Sequence, residues 1–315
     1  MAEQSIDALS AWQLILDAKG RDSVTLPLPG SDTPALSLGT AGEDPSWSLH
    51  LPATADATSL FNLFLPLVRP FAEGRSHQVV GQMGQSLDGR IATVTGASRF
   101  INGADGITHL HRLRAVSEAI LVGAGTAMED NPRLTVRLAS GPNPVRVVID
   151  PHRRVTETHH LFTDEQAPTL RLVGGVTRPS FEWKIPPTGV LDVPCLGTPG
   201  QTADPGRIIE ILAKFGLRRL FVEGGGLTVS SFMKAGLLDR LHVMVAPMII
   251  GSGRPAFSLP EVETLDKALW PKAQFINLGS DMLFDLDLSV PSPLSRLAPL
   301  SPPASMTSQA SRENR

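Results

Sequence analysis

The stretch that decides the fold occupies residues 220–231 and reads Leu-Phe-Val-Glu-Gly-Gly-Gly-Leu-Thr-Val-Ser-Ser. An apolar run typical of a buried strand leads to Glu223 and a run of glycines, and a helical pattern begins directly after them. The free N–H groups and the positive dipole end of such a helix form a receptor for phosphate. The segment lacks the Gly-Lys-Ser/Thr ending of nucleotide-hydrolase P-loops. Close packing of strand against helix explains the glycines equally well at this point.

Short apolar and β-branched runs alternate with helical stretches on both sides of this segment. The predicted strands lie at residues 77–83, 119–122, 145–149, 170–173 and 219–222. The predicted helices lie at residues 104–117, 204–215 and 227–235. Such alternation is typical of β-α-β units that build a parallel sheet. Two further strands, at residues 240–246 and 282–288, have no obvious crossover helix between them. We therefore expect an α/β fold with a mostly parallel central sheet, flanking helices and an antiparallel edge.

The two flanks of the chain differ from this middle region in composition. Residues 1–75 are rich in Ala, Ser, Pro and Leu, with helices predicted at residues 6–18 and 57–68. Residues 290–315 are mostly Ser, Pro, Ala and small polar residues, which bury too little apolar area to offset the entropy of ordering. We expect an N-terminal extension of unknown role over 1–75, one domain over 76–289 and a disordered tail over 290–315.

The overall composition excludes several classes of protein. The chain has 315 residues, 42% of them hydrophobic, which is enough for a substantial core. Its net charge of −3 and scattered basic residues argue against a nucleic-acid partner. The single cysteine, Cys195, cannot form an internal disulfide. The chain shows no secretory signal pattern, and its apolar runs are shorter than the roughly 18–20 residues that cross a bilayer, so we expect a cytoplasmic protein.

A polar segment follows the first predicted strand of the middle region. Residues 86–92 read Ser-Leu-Asp-Gly-Arg-Ile-Ala. They lie at the carboxyl end of a strand, where open α/β sheets bind ligands. A simple turn built on Asp88 and Gly89 is the alternative explanation.

A second glycine segment lies within residues 119–137. A predicted strand leads into Gly123-Ala-Gly125, where missing Cβ atoms would let a cofactor approach the backbone. Met128 replaces the third glycine of the dinucleotide fingerprint, so the pattern does not indicate a Rossmann site. Arg133 and Arg137 follow a turn, and an ordinary loop explains both on spacing alone.

Histidine and cysteine spacing predicts no metal site. His109 and His111 lie two residues apart on a predicted helix and so face different sides. His159 and His160 have no carboxylate or cysteine at ligand spacing. Cys195 has no second cysteine to complete a zinc-deaminase site, which excludes that chemistry.

Taken together, these segments resemble the reductase domain of riboflavin biosynthesis, the C-terminal half of the bifunctional pyrimidine deaminase/reductase. The resemblance extends, in the family's order, over residues 86–92, 98–101, 113–114, 120–137, 144–150 and 222–253. It implies a dihydrofolate-reductase-like fold, usually a homodimer. It also implies an oxidoreductase that uses NADPH to reduce the ribosyl group of 5-amino-6-(5-phosphoribosylamino)uracil to ribityl.

The resemblance implies a set of site residues as well. Cofactor-binding positions of the family fall on Gly84, Phe100, Thr126, Asp130, Gly225, Gly226, Leu227, Thr228, Val229, Ser230 and Ser231. Substrate-binding positions fall on Ser98, Arg114, Leu134, Arg137 and Glu223.

The residue types suit these roles on chemical grounds. Arg114 and Arg137 can offer guanidinium forks to a ribose 5-phosphate, and Ser98 can add a hydroxyl. Glu223, the predicted catalytic residue, could bind the N–H donors of a pyrimidine or relay a proton as the sugar ring opens. Arg153 and Arg154, just past the strand that ends near Asp150, are candidates for the 2′-phosphate of the cofactor.

Two positions depart from the family's pattern. Gln82 stands where family members often carry a basic residue, and Phe100 stands where tryptophan is frequent. Two alternatives therefore stay open: an NADPH reductase of the same fold acting on another pyrimidine or pterin-like compound, and a non-catalytic nucleotide-binding or scaffolding protein. The first alternative predicts no NADPH oxidation with the riboflavin intermediate. Tight NADPH binding with no oxidation across a panel of pyrimidines would favour the second.

Overall fold

The structure, a computed structural model, describes residues 4–40, 47–71, 73–99, 101–197 and 203–289. The helices are α1 (Ala8–Asp17), α2 (Ala55–Val68), α3 (Ala104–Val116), α4 (Ala124–Asp130), α5 (His160–Thr163), α6 (Pro205–Lys214) and α7 (Gly226–Lys234). The strands are β1 (Thr25–Pro27), β2 (Pro34–Leu38), β3 (Trp47–Leu49), β4 (Gln78–Ser86), β5 (Arg90–Ala92), β6 (Ala119–Gly123), β7 (Val145–Ile149), β8 (Thr169–Val173), β9 (Val190–Pro194), β10 (Arg219–Glu223), β11 (Arg240–Ala246), β12 (Arg254–Pro255), β13 (Lys272–Leu278) and β14 (Asp281–Asp287). The predicted tail over 290–315 lies outside the described residues, as does Phe100.

A nine-stranded sheet with the order β13-β14-β11-β4-β10-β6-β7-β8-β9 forms the centre of the protein. All neighbours from β11 to β9 pair in parallel. At the other end, β14 pairs antiparallel with both β11 and β13. The predicted α/β fold with a mostly parallel sheet and an antiparallel edge is therefore confirmed.

Alternating side chains of the strands supply two separate cores. On β10, Phe221 belongs to the core on one face, whereas Leu220 and Val222 belong to the core on the other. Helices α1, α2 and α3 cover the first face, and α6 and α7 cover the second. Burying one such aliphatic or aromatic side chain contributes about 1.5–3 kcal/mol. Burial on both faces explains why these strands read as continuous apolar runs.

Capping residues determine where the helices begin and end. Hydrophobic periodicity alone predicts these end points less accurately. Asp204 lies at the N-cap of α6, where its Oδ2 accepts a hydrogen bond from the backbone N of Arg207 at 2.9 Å. Pro205, which lacks an N–H, takes the first helical position. The observed helix is therefore shorter than the predicted helix over 204–215 by the two cap residues, Asp204 and Phe215.

The N-terminal segment adds elements that the sequence did not reveal. Residues 25–49 contain a three-stranded antiparallel sheet, β1-β2-β3, where turn signals obscured the strands. Helices α1 and α2 agree with the predicted helices to within two residues. Strands β9 and β13 were also missed, because both have exposed or half-exposed residues in place of continuous apolar runs.

The helices among the described residues all fall short of the length and apolar character needed to span a membrane.

Candidate active site

A cavity of about 760 Å³ opens at the edge of the sheet where the parallel strands end. Its walls include Gln82 of β4, Gly123 of β6, Ile149 of β7 and Glu223 of β10. Because parallel strands present their carboxyl ends at one edge, residues far apart in the sequence meet here.

The triple-glycine turn after β10 forms one wall of the cavity. Gly224 and Gly225 have φ angles of 67° and 64°, a conformation that side chains with a Cβ rarely adopt. A Cβ at Gly226 would lie 2.6 Å from the carbonyl oxygen of Ala256, so a larger residue does not fit. Helix α7 begins here without a side-chain cap, which leaves its first N–H groups available to an anionic ligand.

The predicted cofactor segment after this turn divides into two parts. Gly225, Gly226, Leu227 and Thr228 line the cavity. Val229 is fully buried in the core. The Ser230 hydroxyl accepts a hydrogen bond from the backbone N of Ser258 at 2.8 Å, and the Ser231 hydroxyl donates to the carbonyl of Thr228 at 2.7 Å. The last three side chains therefore have internal partners or core contacts.

The second glycine segment adjoins the first. A Cβ at Gly123 would lie 2.8 Å from the hydroxyl of Thr228, whereas a Cβ at Gly125 would meet nothing within 4 Å. Thr126 and Asp130 of α4 also line the cavity. The missing side chain at Gly125 therefore leaves room for a ligand beside the backbone.

Asp130 and Ser98 form an acidic corner of the cavity. Burial raises the pKa of Asp130, and the negative charges of Glu129 and Glu223 act in the same direction. The charge of Arg99 and a hydrogen bond with Ser98 oppose this shift without reversing it. Asp130 consequently holds a proton more readily than an exposed aspartate.

Gly84 lines the cavity next to a residue that the sequence did not single out. The side-chain oxygen of Asn102 occupies the space where a Cβ of Gly84 would lie. Asn102 also lines the cavity, and its Nδ2 has no hydrogen-bond partner among the described residues. It lies in a loop without periodicity or motif, so no sequence signal identified it.

Glu223 enters the cavity as one half of a buried ion pair. The Nε of Arg114 donates to Oε2 of Glu223 at 2.8 Å, and Nη2 donates to Oε1 at 2.6 Å. The Nη1 of Arg114 donates to the carbonyl of Thr135 at 3.0 Å. This bidentate geometry fixes both the position and the charge of the carboxylate. The guanidinium predicted to bind phosphate thus lies behind Glu223 and is bound to it.

The other two predicted substrate residues lie outside the cavity lining. Leu134 is 1% exposed and has a φ of 53°. The Nη1 of Arg137 donates to the hydroxyl of Thr135 at 2.7 Å. Partial burial lowers the pKa of Arg137, and the positive charges of Arg114 and Arg133 lower it further. Such a concentration of positive charge favours a bound anion.

Gln82 is a cavity residue that the sequence marked only as a departure from a pattern. It is 3% exposed and lies between Glu223 and His242 in the register of the sheet. Its Nε2 has no hydrogen-bond partner among the described residues. A buried unpaired amide costs about 1–3 kcal/mol, which a ligand acceptor would recover.

The adjacent arginines after β7 differ in their contacts. The Nε of Arg153 donates to Oδ2 of Asp192 at 3.0 Å. Arg154 lines the cavity, and its guanidinium has no ion pair within the described part of the chain. Only Arg154 is placed to meet a ligand.

The polar segment over 86–92 is hydrogen-bonded to the loop that contains Ile250 and Gly251. Asp88 accepts hydrogen bonds from the hydroxyl of Ser86 at 2.5 Å and from the backbone N of Ile250 and Gly251 at 3.1 and 2.6 Å. These bonds, led by that from Ser86, lower the pKa of Asp88 to about 2. The turn explanation therefore accounts for Asp88.

The histidines singled out on α3 are both buried. The Nε2 of His109 lies 2.9 Å from Nδ1 of His242, and Nδ1 of His111 accepts a hydrogen bond from the backbone N of Arg137 at 2.9 Å. Across the described residues, no three His, Cys, Asp or Glu side chains come together as a metal site.

A parallel sheet with an antiparallel edge, and a glycine-lined cleft that holds a fixed carboxylate, agree with the dihydrofolate-reductase-like oxidoreductase fold that the resemblance implied. The chain belongs to the family described as the RibD C-terminal domain, whose model matches residues 77–284.

Two curated relatives illustrate the similarity. The 2,5-diamino-6-ribosylamino-4(3H)-pyrimidinone 5′-phosphate reductase of Methanothermobacter thermautotrophicus is 38% identical over 192 residues, which cover 60% of this chain and 86% of that protein. The riboflavin biosynthesis protein RibD of Aquifex aeolicus is 31% identical over 201 residues, which cover 63% of this chain and 54% of that protein. The chain thus spans about half the length of the second relative.

A solved structure shares the fold. It is the diaminohydroxyphosphoribosylaminopyrimidine deaminase/5-amino-6-(5-phosphoribosylamino)uracil reductase of Thermotoga maritima, with 25% identity and a TM-score of 0.54. The match covers 75% of this chain and 64% of that one. The relatives are thus reductases of riboflavin biosynthesis, and this chain is an enzyme of that type.

Proposed function

We propose that this protein reduces the ribosyl group of 5-amino-6-(5-phosphoribosylamino)uracil to ribityl, with NADPH as the reductant. The observation that carries the proposal is that Glu223, fixed by Arg114, opens onto the same cavity as the glycine turn at the start of α7. That turn suits a pyrophosphate, and the open space beside Gly125 suits a close approach of the cofactor. When bound, the nicotinamide supplies a hydride to C1′ of the sugar.

Glu223 has two tasks in this reaction. Its carboxylate can accept hydrogen bonds from the N–H groups of the pyrimidine, which orients C1′. In this proposal it also relays a proton to the ring oxygen as the sugar opens. The bidentate pair with Arg114 keeps the carboxylate in one orientation for both tasks.

The substrate phosphate is assigned to Arg137 rather than Arg114. Arg114 already binds Glu223 and the carbonyl of Thr135, whereas the guanidinium of Arg137 hydrogen-bonds to Thr135 alone among the described residues. The family resemblance and the positive charge around Arg137 both support this choice.

Arg154 supports NADPH over NADH. Arg154 lines the same cavity as Gly125 and Thr126, and a guanidinium can bind a 2′-phosphate as a bidentate donor. Arg154→Ala should raise the Kd for NADPH by about tenfold or more and leave the Kd for NADH unchanged, as measured by nicotinamide fluorescence. Equal losses for both cofactors would show that Arg154 does not contact the 2′-phosphate.

The deciding experiment is an assay of NADPH oxidation with two substrates. One is the uracil compound named above, and the other is the 2,5-diamino pyrimidinone named for the Methanothermobacter relative. Oxidation with the uracil compound supports the proposal, and Glu223→Gln should lower that kcat by about a hundredfold or more. Oxidation with the diamino compound alone would move the reaction to the step before deamination. Binding of NADPH without oxidation would favour the non-catalytic alternative.

A homodimer in the cytoplasm completes the proposal. On the β13–β14 end of the sheet, Phe275 and Met282 share a face with Phe284 and are 65% and 40% exposed. An apolar face beside an open edge strand favours association with a second copy. Light scattering should give twice the chain mass for the wild type and a monomer for Phe275→Glu. A monomeric wild type would contradict this arrangement.

A further inference from the structure

The N-terminal segment lies outside the part of the chain that the family's model matches, which begins at residue 77. Its described residues nevertheless pack against the region that the family's model matches. Helices α1 and α2 share one hydrophobic core with α3 and with the strands of the central sheet. The segment therefore contacts elements that carry site residues. One of its side chains contacts two of these elements at once.

That side chain is Trp12 of α1, which is 5% exposed. Its indole Nε1 donates a hydrogen bond to the carbonyl of Ser140 at 2.9 Å. The guanidinium carbon of Arg112, on α3, lies 5.5 Å from the centre of the indole ring. Trp12 thus joins α3 to the loop that contains Ser140.

A column of rings continues from Trp12 into the sheet. The ring of Phe64, on α2, lies 5.1 Å from that of Trp12 and 5.3 Å from that of His109 on α3. The ring of His109 lies 5.1 Å from that of His242 on β11. Helix α3 is therefore held between the N-terminal segment and the sheet.

The two elements that Trp12 joins carry the two arginines of the proposed substrate site. Arg112 precedes Arg114 by two residues on α3, and Ser140 follows Arg137 by three residues in the loop. These elements also meet at Gly141, where a Cβ would lie 2.6 Å from that of Ala115. Through Trp12, α1 therefore contacts both arginine-bearing elements.

We propose that Trp12 is a positioning residue for the substrate phosphate. By bonding Ser140 and stacking on Arg112, it sets the distance between the Arg137 loop and the helix that anchors Glu223 through Arg114. The N-terminal segment is then a brace of the substrate end of the cavity, whereas α7, at the cofactor end, packs in the separate core on the other face of the sheet. This inference rests on the proposed function.

The test compares Trp12→Leu and Trp12→Phe with Trp47→Leu as the matched control. Trp47 belongs to the same segment and packs on Phe61 of α2, and among the described residues it has no hydrogen bond or ring contact with α3 or with the Ser140 loop. Trp12→Leu should raise the KM for the phosphorylated substrate by about tenfold and leave the Kd for NADPH within about twofold. Trp12→Phe, which keeps a ring but loses the indole N–H, should give an intermediate KM. Trp47→Leu should change neither constant.

Hydrogen exchange provides a readout that does not need turnover. Trp12→Leu should speed exchange over residues 104–116 and 133–141, and Trp47→Leu should not. If the wild type does not oxidise NADPH, the proposed function fails while exchange still tests the brace. Equal effects of the Trp12 and Trp47 variants, or equal losses of substrate and NADPH binding, would overturn the inference. If Trp12→Leu does not fold, Trp12→Phe decides by the same measurements.

Discussion

Arg114 and Arg137 are the same residue type, lie 23 positions apart and were expected to do the same work, yet their surroundings differ. Arg114 is 7% exposed on a helix and binds the carboxylate of Glu223 with two hydrogen bonds. Arg137 lies in a loop, and within the described part of the chain its guanidinium hydrogen-bonds to Thr135 alone. The difference teaches that a guanidinium with a buried carboxylate partner stabilises the protein's own site, whereas one without such a partner is available to a ligand.

The largest effect expected from this comparison is on stability. Arg114→Ala leaves the carboxylate of Glu223 without its buried partner, so we expect the free energy of unfolding to fall by about 3–5 kcal/mol. Urea denaturation followed by circular dichroism measures this change. The double variant Arg114→Ala/Glu223→Gln removes the unpaired charge and should recover part of the loss. A loss below about 1 kcal/mol in the single variant would mean that the pair is loosely held.

The next effect is on substrate binding. Arg137→Ala should raise the KM for the phosphorylated substrate by about ten- to a hundredfold, since a hydrogen bond to a charged group contributes about 1.5–3 kcal/mol. The free energy of unfolding should fall by about 0.5–1.5 kcal/mol, less than for Arg114→Ala, because only hydrogen bonds to Thr135 are lost and the guanidinium has no ion-pair partner among the described residues. The Kd for NADPH serves as the control. An unchanged KM would remove Arg137 from the substrate site.

The smallest expected effect is a pH dependence of the free energy of unfolding. It is caused by His111, whose pKa is influenced by both arginines. Burial, followed by the charges of Arg114 and Arg137, lowers the pKa of His111 from 6.5 to about 4. The folded state therefore favours neutral His111, whose contribution to stability is complete above about pH 6.5 and is lost as the pH falls toward 4. Protonation would also remove the acceptor for the backbone N of Arg137. His111→Asn, which does not titrate, should have a flatter stability profile over this window, and an identical slope would contradict the assignment.

Most of the fold could be predicted from the sequence because its signals are local. Continuous apolar runs mark strands buried on both faces, and the central strands β6, β7 and β10 agree with their predictions to within one residue. The strands of the N-terminal segment could not be predicted, since short half-buried strands with turns between them lack a distinct period. Their stability comes from side chains such as Leu26, Leu36 and Leu38 that pack into the shared core.

The sequence by itself determined which residue types lie at the strand ends: Glu223 and the glycines come at the end of apolar runs or directly after them. Only the tertiary structure decided how they combine. It paired Arg114 with Glu223, placed the unpartnered Gln82 in the cavity and brought Trp12 onto two distant elements. The physical reason is that partner choice depends on burial and distance between side chains far apart in the chain, which no local pattern encodes.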